Sequence, residues 1–241
     1  MRVVSAQIND TGRATIGIVH GAGDGGWSWH LVEEELRARG HRTVAPDLAS
    51  DDDSATLADY ADAVVEAIGP RDSGPLVIVG QSFGGFTAPL VADRLSADLL
   101  VLVTAMIPKP GENPDDWWEA VGYSAAVRDA AHRDGGLTGH DDPFVSFLHD
   151  VPRPLAEEAL RRGRNHPSAA AGAAPWPLDT WPSIPTRFVL CTEDRFFPEA
   201  LMRRLVDERL PGVTPEAIAA GHCVALSRPR ELADLLERDV R

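Results

Sequence analysis

Short apolar segments, rich in β-branched residues, alternate along this chain with segments of helical periodicity. The strand-like segments are Thr15 to Val19, Arg42 to Ala45, Leu76 to Val79, Leu99 to Val103, Arg187 to Leu190 and Thr214 to Ala219. The helix-like segments are Leu31 to Arg39, Leu57 to Ile68, Phe86 to Leu95, Glu199 to Arg209 and Glu231 to Val240. Apolar runs of this length are typical of buried parallel strands. The alternation predicts an α/β fold, with a mostly parallel sheet and helices on both of its faces.

The alternation lapses between Pro108 and Pro185, where prolines are frequent and four of the six tryptophans occur. The helix-like pieces in this region, Asp115 to His132 and Pro154 to Arg164, are only weakly amphipathic. A length of 241 residues suits one large domain. We therefore predict a core of residues 1–107 and 186–241 with a cap insertion, residues 108–185, over the carboxyl edge of the sheet. The candidate substrate contacts in the cap are Trp117, Trp118, Trp176 and Trp181, with ordinary cap packing as the alternative.

The charge balance narrows the choice of partners. The chain has 37 acidic and 23 basic residues, a net charge of -14, which repels nucleic acid and anionic membranes. The longest apolar run is about half the length of a membrane span. The first seven residues lack the pattern of a secretory signal, and two cysteines do not make a disulfide framework. We expect a cytoplasmic protein with a small-molecule substrate, and we leave a homodimer open.

One motif indicates chemistry. The segment Gly80-Gln81-Ser82-Phe83-Gly84 follows the strand-like Leu76 to Val79 and precedes the helix-like Phe86 to Leu95. A serine between two glycines on a strand-to-helix turn is the pattern of a nucleophile elbow. The motif alone is weak evidence in a chain with 21 glycines. The prediction of a nucleophilic Ser82 therefore depends on finding its partners.

A serine hydroxyl needs a base that takes its proton and an acidic side chain that orients the base. Asp194 follows the strand-like Arg187 to Leu190, and His222 follows the strand-like Thr214 to Ala219. The order of serine, acid and histidine is the one that this type of site uses. We predict His222 as the base and Asp194 as the acid, with the neighbouring Glu193 as a rival for the acid.

The oxyanion formed by serine attack needs two N–H donors, one after the nucleophile and one on the loop after an earlier strand. The backbone N–H groups of Phe83 and Ala22 are the candidates. His20 and Gly21 precede Ala22 directly after the first strand-like segment. We expect Gly21 to let the loop turn toward the site, and the His20 imidazole to tie the loop down.

Three rival interpretations concern the same residues or their neighbours. The loop Gly21 to Gly26 matches a dinucleotide-binding glycine pattern, with Asp47 at a distance suited to a ribose. That reading leaves the serine, acid and histidine unexplained, so we predict no cofactor. A metal site would draw on His132, Asp134, His140, Asp141 and Asp142, but their spacing fits no ligand pattern and we predict no metal. A nucleophilic Cys223 is the third alternative.

The chain resembles the α/β-hydrolase superfamily over nearly its whole length, and it is most similar to the branch of plant methylesterases and hydroxynitrile lyases. The resemblance lies in the segments His20-Gly21-Ala22, Gly25-Gly26-Trp27-Ser28-Trp29, Gly40-His41, Asp47-Leu48, the elbow, Cys191-Thr192-Glu193-Asp194, and Gly221-His222 before Pro229. It implies a triad of Ser82, Asp194 and His222, with oxyanion donors at Ala22 and Phe83.

The chain departs from that branch at three positions. Hydroxynitrile lyases of the branch have a threonine where this chain has Gly21 and a lysine where it has Cys223, and Gln81 replaces a common histidine. These departures favour ester hydrolysis over cyanohydrin cleavage. We expect a serine hydrolase that cleaves a small apolar or aromatic carboxylic ester through an acyl-enzyme. The alternatives are a lyase or other non-hydrolytic enzyme of the same fold, and a binding protein that keeps a vestigial site.

Overall fold

The computed structural model describes residues 13–71, 73–164 and 167–238. The expectation about the first seven residues lies outside these ranges. Within them, a six-stranded sheet has the order β2-β1-β3-β4-β5-β6, and every neighbouring pair is parallel. Its strands are β1 (Thr15–Val19), β2 (Arg42–Val44), β3 (Leu76–Gln81), β4 (Leu99–Val103), β5 (Thr186–Cys191) and β6 (Glu216–Ile218). The predicted α/β fold is confirmed, and the sheet is parallel throughout.

Helices cover both faces of this sheet. Those of the core are α1 (His30–Ala38, after a 3-10 turn at Gly26–Trp29), α2 (Leu57–Ile68), α3 (Gly84–Leu95), α9 (Glu199–Arg209), α10 (Val224–Ser227) and α11 (Pro229–Glu237). Alternate residues of β4 illustrate how the strands serve two cores: Leu100 and Leu102 pack with the cluster of α2, α3 and α9, whereas Val101 and Val103 pack with that of α1 and α11. Burial on both faces explains why the strands read as continuous apolar runs.

Five helices lie between β4 and β5, in the segment that the sequence assigned to a cap. They are α4 (Pro114–Ala120), α5 (Tyr123–Asp134), α6 (Pro143–Ser146), α7 (Arg153–Arg162) and α8 (Ala169–Ala173). The predicted helical piece Asp115 to His132 is two helices, because Gly122 has φ 66°, in the left-handed region. None of the helices in the described ranges is long and apolar enough to cross a membrane.

Buried polar contacts fasten the cap to the core. The indole nitrogen of Trp117 donates to the carbonyl of Ile107 at 3.2 Å, and that of Trp176 donates to the carbonyl of Phe86 at 2.9 Å. The two rings are almost fully buried in the core cluster, at 0% and 2% exposed. These tryptophans therefore fix where the cap lies over the sheet.

An ion pair adds to this attachment. Arg209 at the end of α9 is 3% exposed in its side chain, and Glu112 before α4 is 11% exposed. The guanidinium donates to Glu112 at 3.0 Å and also to the carbonyl of Ile107. Removing one partner of a buried pair leaves the other charge uncompensated.

We expect Arg209→Met to lower the free energy of unfolding by about 3 kcal/mol, because Glu112 then loses its buried partner. Urea denaturation followed by circular dichroism measures the change. Arg203→Met on the same helix is the matched control, since Arg203 forms an exposed pair with Glu199 and should cost less than about 1 kcal/mol. Equal losses in the two variants would contradict the structural role of the Arg209 pair.

Candidate active site

Ser82 lies on the turn between β3 and α3, at the carboxyl edge of the sheet. Its φ of 52° is in the left-handed region, which non-glycine residues rarely adopt. Gly84 allows the turn to pack tightly, since a Cβ there would lie 2.5 Å from the carbonyl oxygen of Val19. A strained serine on such a turn presents its hydroxyl above the sheet. The local structure is that of the predicted elbow.

The structure brings the predicted base and acid to this serine. His222 Nε2 lies 3.0 Å from Ser82 Oγ, and His222 Nδ1 lies 2.8 Å from Asp194 Oδ2. His222 follows β6 and Asp194 follows β5, so adjacent parallel strands deliver both side chains to one edge. With Asp194 ionised, Nδ1–H donates to the carboxylate and Nε2 can accept the serine proton.

Asp194 is buried, with a side chain that is 0% exposed. Its Oδ1 accepts from the backbone N–H groups of Phe196 at 2.8 Å and Phe197 at 2.9 Å. Its Oδ2 accepts from the hydroxyl of Thr104 at 2.7 Å and from His222. Burial by itself raises the pKa of Asp194, but attraction to His222 and these hydrogen bonds outweigh it, so the pKa lies below its ordinary value. The rival Glu193 is exposed and does not occupy this position.

Sequence reasoning missed Thr104. It directly follows β4 and therefore lies at the same edge of the sheet as the other groups. A polar side chain immediately after a buried strand was the signal that could have found it. Its bond to Asp194 makes it a positioning group for the acid.

The loop after β1 has the predicted architecture. His20 Nε2 accepts from the backbone N–H of Leu48 at 3.2 Å, and its Nδ1 lies 2.9 Å from the Gly21 carbonyl. Burial lowers the pKa of His20, which favours the neutral ring that these contacts require. Asp47 accepts from the backbone N–H of Gly26 at 2.8 Å. Both side chains therefore hold this loop, as the sequence suggested.

The loop and the elbow bound a cavity of about 420 Å³ next to the serine. Ala22 and Phe83, the predicted oxyanion donors, both line it, as do Ser82 and His222. Gly21 fits because a Cβ there would lie 2.6 Å from Gln81 Oε1 and 2.9 Å from Ser82 Cβ. The close approach of this loop to the elbow therefore depends on glycine.

The prediction of four tryptophan contacts in this cavity needs correction. Of the four, Trp118 lines the cavity, while Trp117, Trp176 and Trp181 do not. The first and second of these three are the buried anchors described above, and Trp181 stacks on Trp176 with ring centroids 5.7 Å apart. Their indole nitrogens satisfy carbonyl or hydroxyl groups of the core, so these rings stabilise the cap instead of facing a ligand.

Phenylalanines that the sequence did not single out form the aromatic wall beside the histidine. Phe196 and Phe147 line the cavity, and their ring centroids lie 4.9 and 5.5 Å from that of His222. Phe196 lies two residues after Asp194, which was the available signal. Phe147 belongs to the cap, and only the tertiary structure brings it here.

Two cap residues also hold the loop that carries His222. The carboxylate of Asp150 accepts from the Gly221 backbone N–H at 2.9 Å. His149 Nε2 lies 3.0 Å from the carbonyl of Glu193, and a Cβ at Gly221 would lie 2.6 Å from that nitrogen. The cap therefore contacts the loops of both the acid and the base.

The rival chemistry of the cysteine and of the polar loop finds no support in the geometry. Burial raises the pKa of the Cys223 thiol, and nearby Asp24 and Asp194 raise it further, which keeps the thiol protonated. Asp134 accepts from the backbone N–H groups of Gly136, Leu137 and Thr138 and so closes the loop after α5. In the described part of the chain, no group of three or more His, Cys, Asp or Glu residues is arranged to hold a metal ion.

Comparison with known proteins adds to this geometry. The chain is similar to norfluorocurarine synthase 2 of Strychnos sp., with 25% identity over 260 residues that cover 95% of this chain and 96% of that protein. It is similar to methylesterase 3 of Arabidopsis thaliana, with 25% identity over 253 residues, 91% of this chain and 93% of that protein. The methylesterase agrees with the predicted branch.

Solved structures and a family model lead to the same group of proteins. The crystal structure of polyneuridine aldehyde esterase matches with a TM-score of 0.74 and 21% identity, covering 93% of this chain and 98% of that chain, a likeness of fold. A model of the alpha/beta hydrolase family matches residues 18–235. That match leaves no reason to retain the dinucleotide-binding interpretation of the glycine loop. With its sheet, elbow and family match, the chain belongs to the α/β hydrolase family.

Proposed function

We propose that this protein is a serine hydrolase that cleaves a small apolar or aromatic carboxylic ester through an acyl-enzyme. One observation carries the proposal: Ser82, His222 and Asp194 form a hydrogen-bonded chain that opens into a largely apolar cavity of about 420 Å³. The esterase and methylesterase names of similar proteins support the same reaction class. The proposed steps use only groups of this chain.

In the first half-reaction, Ser82 Oγ forms a bond to the ester carbonyl carbon while His222 Nε2 takes the hydroxyl proton. The resulting oxyanion accepts hydrogen bonds from the N–H groups of Ala22 and Phe83. The bond to the alcohol oxygen then breaks, and the protonated imidazole gives its proton to that oxygen. The alcohol leaves, and the acyl group stays on Ser82.

Water completes the cycle by the same route. His222 takes a proton from water, the hydroxyl attacks the acyl carbon, and the proton returns to Ser82 as the acid leaves. Each time His222 becomes positive, the ionised Asp194 beside Nδ1 stabilises it. The lowered pKa of Asp194 fits that role, because the acid stays ionised at neutral pH.

The structure bears on the lyase alternative at two positions. A threonine at position 21 would place its Cβ 2.6 Å from Gln81 Oε1, so the loop suits glycine. Cys223 lines the cavity with a protonated thiol and supplies no cation. Both observations favour ester hydrolysis over cyanohydrin cleavage. The relative named as a synthase favours a second candidate, a different outcome after attack on an ester, which product analysis by mass spectrometry would detect.

We expect Ser82→Ala to lower kcat for 4-nitrophenyl and methyl esters by about 10⁴-fold, because the nucleophile is lost. Initial rates over esters of graded acyl length measure the loss and also report the acyl size that the cavity accepts. Ser124→Ala, an exposed serine on α5, is the matched control and should keep wild-type rates. Near-normal hydrolysis by Ser82→Ala, or no labelling of folded wild type by a fluorophosphonate, would refute the proposed nucleophile.

We expect Thr104→Val to lower kcat about tenfold while KM changes less than twofold, because Asp194 loses a hydrogen bond that positions it. Steady-state kinetics separate the two constants. Thr104→Ser restores the hydroxyl and should recover most of kcat. If serine and valine variants have the same activity, the hydroxyl does not position the acid.

A further inference from the structure

The cavity contains a carboxylate that the proposed mechanism does not use. Asp24 lies two residues after Ala22, on the loop after β1, and it lines the cavity together with Ser82 and His222. Its backbone N–H points to the carbonyl of Gly21, at 3.4 Å. Its side chain is partly buried and forms no hydrogen bond or ion pair with any residue that the structure describes. An acidic side chain in such a place costs desolvation without compensation from the protein.

The rest of the lining lacks positive charge and is rich in aromatic rings. Among the described residues that line the cavity, none is lysine or arginine. Aromatic side chains form much of its wall: Trp29, Phe83, Trp118, Phe147 and Phe196. Asp115, an exposed residue at the start of α4, contributes a second carboxylate. Aromatic faces and carboxylates attract cations and repel anions.

A buried amide adds to the same tendency. Gln81 lines the cavity and is 4% exposed. Its Oε1 has no hydrogen-bond partner among the described atoms, whereas its Nε2 approaches the carbonyl of His222 at 3.4 Å. An unpaired amide oxygen carries partial negative charge into the lining. The net charge of -14 makes the whole chain attract cationic solutes.

The nearest arginines have other partners. A second cavity of about 150 Å³ shares Asp24 with the first and is also lined by Arg162 and Arg164. Arg162 donates to Glu158 at 2.6 Å, and Arg164 pairs with Asp47 at 3.1 Å and with Asp51 at 2.6 Å. Neither guanidinium is paired with Asp24. A cation supplied by a ligand would be the partner that this carboxylate lacks.

The charge state of Asp24 sets the conditions for a test. Burial raises the pKa of Asp24 to about 7, and attraction to a protonated His222 partly offsets this. The thiol of Cys223, which also faces Asp24, stays protonated. Asp24 is therefore mostly ionised at pH 8.5, and a bound cation stabilises the ionised form further.

We propose that the ester substrate carries a cationic amine in its acyl or alcohol part, and that Asp24 and the aromatic wall of the cavity bind this group. The inference rests on the proposed ester hydrolysis and specifies the substrate class. Asp24 is then a specificity residue, separate from the groups that perform the bond changes.

Matched ester pairs test the proposal at pH 8.5. On the acyl side, 4-nitrophenyl 4-(trimethylammonio)butanoate is compared with the neutral isostere 4-nitrophenyl 5,5-dimethylhexanoate. On the alcohol side, choline butyrate is compared with 3,3-dimethylbutyl butyrate. Each kcat/KM is divided by the rate constant for hydroxide hydrolysis, which removes intrinsic reactivity. We expect at least one cationic ester to be favoured about tenfold or more, which corresponds to about 1.4 kcal/mol.

Asp24→Asn keeps the shape of the side chain and removes its charge. We expect the cation preference to fall to less than about twofold in this variant. Asp129→Asn, an exposed residue on α5 that does not line the cavity, makes the same change in net charge and should keep the wild-type preference. A preference near one in both pairs, or an unchanged preference in Asp24→Asn, would overturn the inference.

A binding measurement separates this failure from failure of the proposed function. Phenyltrimethylammonium is titrated calorimetrically into Ser82→Ala and into the double variant with Asp24→Asn. We expect the second variant to bind at least tenfold more weakly; equal or undetectable binding in both overturns the cation site. If wild type hydrolyses no ester of either pair, the proposed function fails. If it hydrolyses the neutral esters without preference for the cationic ones, only the substrate class fails.

Discussion

A buried negative charge organises the candidate active site. The Asp194 side chain is removed from water, and four hydrogen-bond donors replace the lost hydration: two backbone N–H groups, Thr104 and His222. Each donor comes from a segment at the carboxyl edge of the parallel sheet, so the charge is tolerated only when β4, β5 and β6 lie side by side. The orientation of His222 toward Ser82 therefore depends on the correct assembly of the sheet.

The cap extends this dependence beyond the sheet. Trp117 and Trp176 bury their rings in the core and pair their indole nitrogens with core carbonyls, which fixes the cap on the sheet. The fixed cap then places Phe147 against the ring of His222 and Asp150 against the backbone of Gly221. One insertion thus closes the cavity on one side and steadies the catalytic loop on the other. The cavity that results has a negative and aromatic lining, which is the basis for a cationic substrate.

Much of the fold could be predicted because its signals are local. Runs such as Leu99–Val103 are apolar at every position, since both faces of a parallel sheet are covered. The elbow is equally local, because a strand, a serine at φ 52° and a glycine at 84 are consecutive in the sequence. Asp194 and His222 followed from their positions after strands. The cytoplasmic location and a homodimer stay predictions.

The sequence by itself determined the strand–helix alternation, the order of serine, acid and histidine, and the loop of His20 to Gly26, since each is written in neighbouring residues. Only the tertiary structure decided which cap tryptophans face the cavity, because indole burial depends on packing across the chain and not on local pattern. It also decided that Thr104 supports Asp194 and that Asp24 meets the same cavity as Phe147 and Phe196. Those contacts join segments that are about 40 to 170 residues apart in the sequence, and parallel strands bring them to one edge.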